Sequence, residues 1–67
     1  MTPEEITDLN RARASLARQR NALSKRIGAS ELAAASAAED LMRVLLAIEA
    51  VDRALTDAGQ PYTPPMA

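Results

Sequence analysis

The side chains able to do chemistry in this 67-residue chain are carboxylates, guanidinium groups, one lysine amine, serine and threonine hydroxyls that lack a histidine base, and one phenol. Six of the nine carboxylates fall into three close sets: Glu4-Glu5, Glu39-Asp40, and Glu49 with Asp52. Neighbours in sequence point to different sides of a helix, so the first two sets cannot share a proton or a metal ion. Glu49 and Asp52 do share a face, but Arg53 and Arg13 are placed to pair with them. There is no histidine and no cysteine, which removes the usual general base, the thiolate nucleophile and the commonest metal ligands. The expectation is a protein that is not an enzyme, with no cofactor, no metal and no small-molecule substrate.

The basic residues have a clearer spacing. Arg11, Arg18 and Lys25 recur every seven residues and belong on one outer helix face. Such a row suits phosphate contacts, so an alternative reading is a small dimeric nucleic-acid-binding protein. No aromatic residue interleaves the row, and a solvated basic face explains it as well; nucleic acid is not the expected partner. Arg13 and Arg20 recur in a different row, between Ile6 and Ile27, where aliphatic residues belong. There they either lay their stems over apolar surface and reach an acid, or specify register or a partner chain. Asp52 and Glu49 are the acids expected near Arg13, and Asp40 and Glu39 those near Arg20.

The elements that carry these residues are helices. Ala, Leu, Arg and Glu dominate, and Tyr62 is the sole aromatic; this is a helix-forming composition. Thr2, Pro3 and Glu5 make a start signal with a Thr-x-x-Glu box. The first helix is predicted over about 3–27, with Gly28 taking the left-handed closing position. Gly28-Ala29-Ser30 is the predicted turn, with Ser30 capping a second helix over about 31–58. Ser36-x-x-Glu39 offers a competing start, so a break near Ser36 is an alternative to one continuous helix. Gly59 and Pro61 end the helical hairpin (1–59). The tail (60–67) is predicted to be extended or disordered, or to dock through Tyr62 and Met66 into a groove on a neighbour.

The first helix carries a heptad stripe of Ile6, Leu9, Arg13, Leu16, Arg20, Leu23 and Ile27. Folding the chain at 28–30 sets Leu9 against Val51, Leu16 against Val44 and Leu23 against Ala37. In the adjacent row it sets Ile6 against Leu55, Arg13 against Ile48, Arg20 against Leu41 and Ile27 against Ala34. The predicted fold is therefore all-α, an antiparallel two-helix hairpin resembling a coiled coil.

Fourteen large aliphatic side chains are too many for two helices to bury. Eight of them lie between Leu41 and Leu55. Leu41, Val44, Leu45, Ile48, Val51 and Leu55 form the face for the first helix. Met42 and Leu46 fall off it, beside Glu49 and Arg53, and Ala47, Ala50 and Ala54 form a third face of small residues. Chains this short without disulfides commonly complete their core by association. Of these eleven apolar positions, all but Val44 are assigned to a protein interface. The partner is a second copy in a homodimeric or higher bundle, a larger protein, or both. The expected role is assembly or adaptor work, such as a phage structural component or a phage-encoded inhibitor of a host protein.

Charge supports the hairpin. Residues 1–28 carry +3 and residues 29–67 carry −4, within a total of −1. The longest apolar run, Val44 to Ile48, is far below the roughly 20 residues that span a bilayer, and the acidic start is unlike a signal peptide. The expected location is cytoplasmic, or the virion for a phage structural component, with no membrane partner.

Overall fold

The computed structural model describes residues 1–62. Within them the chain is two helices, α1 (Pro3–Gly28) and α2 (Ala35–Asp57), packed as a hairpin with no strand among the described residues. No described helix is long and apolar enough to cross a membrane.

The start of α1 follows from its first five residues. The Thr2 hydroxyl accepts the Glu5 N–H at 3.2 Å and donates to the Glu5 carboxylate at 3.1 Å. Glu4 and Glu5 lie in the first turn and Lys25 and Arg26 in the last, matching the helix dipole at both ends. The far end differs from expectation. Gly28 stays right-handed, and Ala29 continues the turn at φ −82°. The Ser30 hydroxyl donates to the Arg26 carbonyl at 3.2 Å, so it closes α1 and is not spent on capping α2.

The second helix accordingly begins four residues later than the expected Glu31. Residues 29–34 form the connection, and Ala34, which has no side chain able to cap, is the N-cap of α2. Ser36 lies inside the first turn. No break divides α2 between Ala35 and Asp57; the interruption considered near Ser36 lies upstream, in the connection.

The end of α2 is sharply made. Gly59 adopts φ +74°, its N–H donates to the Thr56 carbonyl, and the Gln60 N–H donates to the Leu55 carbonyl at 2.8 Å. This is a Schellman closure, in which a left-handed glycine satisfies the last carbonyls and turns the chain back. Pro61 and Tyr62 follow outside regular structure. Tail docking by Met66 lies outside the described residues.

The expected stripe is the one that packs. Ile6, Leu9, Arg13, Leu16, Arg20, Leu23 and Ile27 are all half-buried on α1. Ala37, Leu41, Val44 and Val51 are half-buried on α2, and Ile48 and Leu55 are its buried pair, at 6% and 0% exposure. Arg13 pairs with Asp52, one of the two acids expected near it. Ile6 shares a groove with Ala58, and Leu23 with Val44.

Candidate functional site

Two places on the hairpin present more than packing. The first is the Arg13 corner. Arg13 Nε donates to Asp52 Oδ1 at 2.8 Å, and the Arg13 side chain is only 16% exposed. The Schellman turn brings Tyr62 back so that its ring centroid lies 4.9 Å from Arg13 Cζ, a cation–π contact. Arg13, Ala14, Ala17, Arg18, Thr56 and Tyr62 border one open groove there. Tyr62 thus rests on its own chain. Arg20 makes no such pair. Its Nε donates to Asn21 Oδ1 at 3.3 Å, and among the described residues Arg13–Asp52 is the one ion pair. Asp40, one of the acids expected near Arg20, borders instead the groove that Arg26 also lines.

The second place is the outer face of α2. Of the ten residues assigned to an interface, six are already covered within the hairpin: Leu41, Ala47, Ile48, Val51, Ala54 and Leu55 are buried or half-buried. The other four are exposed. Met42 and Leu46 are each 58% accessible and Leu45 44%, with Ala50 beside them. Leu45 was expected against α1 and lies outside the seam instead. Ala47 and Ala54 are half-buried while Ala50 is exposed, so the three do not form one free small-residue face. The free apolar face is therefore narrower than expected and centred on Leu46. Leu32, 92% exposed in the connection, adds a further apolar side chain.

The residues framing this face are Glu39, Arg43, Glu49 and Arg53, all exposed and none in an ion pair among the described residues. The sequence alone sets Glu49 and Arg53 beside this face; Glu39 and Arg43 complete the frame in the structure. Their signal in the sequence is a charge sign that alternates at matched distances, three and seven residues, on either side of Leu46.

Arg11, Arg18 and Lys25 are exposed on α1. No group of three or more carboxylates able to hold a metal ion occurs among the described residues. Comparison with protein-family models, curated proteins and solved structures finds no match for this chain.

Proposed function

We propose that this chain is a small helical assembly or adaptor protein, without catalytic activity, that works by docking the outer face of α2 against another protein surface. The observation that carries this reading is the contiguous exposure of Met42, Leu45 and Leu46 on a helix whose opposite face is already occupied by α1. Large apolar side chains grouped at i, i+3 and i+4 on a solvated helix are the form helix-docking surfaces take. The scarcity of buried side chains supports the same reading, since only Ile48 and Leu55 reach burial among the described residues.

The test compares Leu46→Asp with Arg18→Glu in the full chain. Association is measured by sedimentation at micromolar concentration and by co-purification from the native host. The expected result is an assembly, with itself or a heavier protein, that Leu46→Asp abolishes and Arg18→Glu retains. A folded monomer with no Leu46-dependent companion in either measurement overturns the reading.

A further inference from the structure

We infer that the surface covering the outer face of α2 is the same face of a second copy, packed antiparallel across a twofold axis at Leu46. The inference rests on the docking reading above and names the partner.

A twofold antiparallel helix pair is self-complementary: each residue a given number of steps before the axis meets the residue the same number of steps after it in the other copy. Positions three, four and seven steps from Leu46 lie on its own side of the helix. With the axis at Leu46, Leu46 meets itself. Four steps out, Met42 meets Ala50, a large side chain over a small one. Three steps out, Arg43 meets Glu49, and seven steps out, Glu39 meets Arg53. By symmetry each pairing occurs twice, and every charge is answered by its opposite.

The pattern chooses both orientation and register. Moving the axis to Val44 sets Glu39 against Glu49, and moving it to Ile48 sets Arg43 against Arg53. A parallel pair in register sets each charge against itself. Like charges facing across an interface oppose association, so the face excludes its nearest alternatives. The four heads are available, because none is in an ion pair within its own chain among the described residues.

The exposed area agrees. The chain exposes 5145 Å², whereas a compact monomer of its 7.2 kDa exposes about 4,100 Å². The excess belongs to the whole elongated hairpin, 44 × 24 × 14 Å, and is large enough to include the roughly 800 Å² that each partner contributes to a stable interface.

Glu39–Arg43 and Glu49–Arg53 also stand four apart along one helix, a spacing that steadies a helix by itself. Charge reversal separates the two roles. Glu49→Arg or Arg43→Glu alone places like charges across both symmetric contacts and is expected to weaken dimerisation about tenfold or more, read by sedimentation of the full chain at low salt. Mixing the two single variants is expected to restore a heterodimer. The double variant R43E/E49R is expected to restore the homodimer, although it sets like charges four apart within each helix. Failure of both rescues overturns the pairing.

Crosslinking checks the axis independently, since the chain has no cysteine of its own. Leu46→Cys is expected to form an interchain disulfide readily on oxidation and Ala50→Cys is not, because the latter pair stands about 12 Å apart along the helix. The opposite order overturns the register. A helical wild-type chain that stays monomeric at 100 µM, on the order of the weakest useful dimers, overturns self-pairing. A Leu46-dependent foreign partner found in that case leaves the docking reading standing.

Discussion

Arg13 and Arg20 occupy equivalent seam positions seven residues apart, yet the structure treats them differently. Arg13 is paired with Asp52 and covered by Tyr62; Arg20 reaches only the side chain of Asn21. Arg20→Leu should therefore raise stability by about 1 kcal/mol, as an aliphatic side chain fills a half-buried position without orphaning an acid. Asp52→Ala should lower it by about 1 kcal/mol, since Asp52 is 41% exposed and water screens part of the pair. Urea denaturation followed by circular dichroism measures both, and equal effects of either sign would contradict the asymmetry. The Arg13–Asp52 contact was legible in sequence because both residues lie on, or one step beside, the heptad stripes. The isolation of Arg20 was not, because it depends on how far along α1 each acid of α2 comes to rest, which the stripes alone do not determine.

The elements were legible where a side chain states the boundary and obscure where the backbone does. Thr2, Pro3 and Glu5 declare the start of α1, and Gly59 with Pro61 the end of α2. The start of α2 had two declared candidates, Ser30 and Ser36, and the chain uses neither: Ser30 bonds back to α1, and α2 begins behind an uncapped Ala34. Ala34→Asp should therefore stabilise the fold by about 1 kcal/mol, adding both a cap and a favourable charge at the helix start. The two glycines should respond in opposite directions. At each, an added Cβ would meet nothing within 4 Å, so backbone conformation alone decides. Gly28→Ala, in right-handed helix, should stabilise by roughly 0.5–1 kcal/mol. Gly59→Ala, at φ +74°, should destabilise by about 1 kcal/mol. Thermal melting of the three variants checks the set, and a stabilising Gly59→Ala would contradict the Schellman closure.

For the molecule as a whole, the hairpin architecture was legible in the sequence and the width of its free face was not. Counting fourteen aliphatic side chains showed that two helices leave some over, but a helical wheel could not assign Leu45, Ala47 and Ala54 to their actual sides. An associating chain should melt at a higher temperature as its concentration rises, because assembly stabilises the folded form by mass action. Melts at about 1 and 100 µM should differ by several degrees, and coincident curves would mark a chain that folds alone. The alternative use of Arg11, Arg18 and Lys25 predicts salt-dependent retention of duplex DNA that Arg18→Glu weakens; the assembly reading predicts none in a gel-shift measurement. Finally, Tyr62 is the sole aromatic residue, and it is parked 4.9 Å from a guanidinium carbon. The molecule consequently carries a single built-in fluorophore at the junction of tail and hairpin. Its ultraviolet emission reports whether that junction is open or closed, with no label attached and no other ring to confuse the signal.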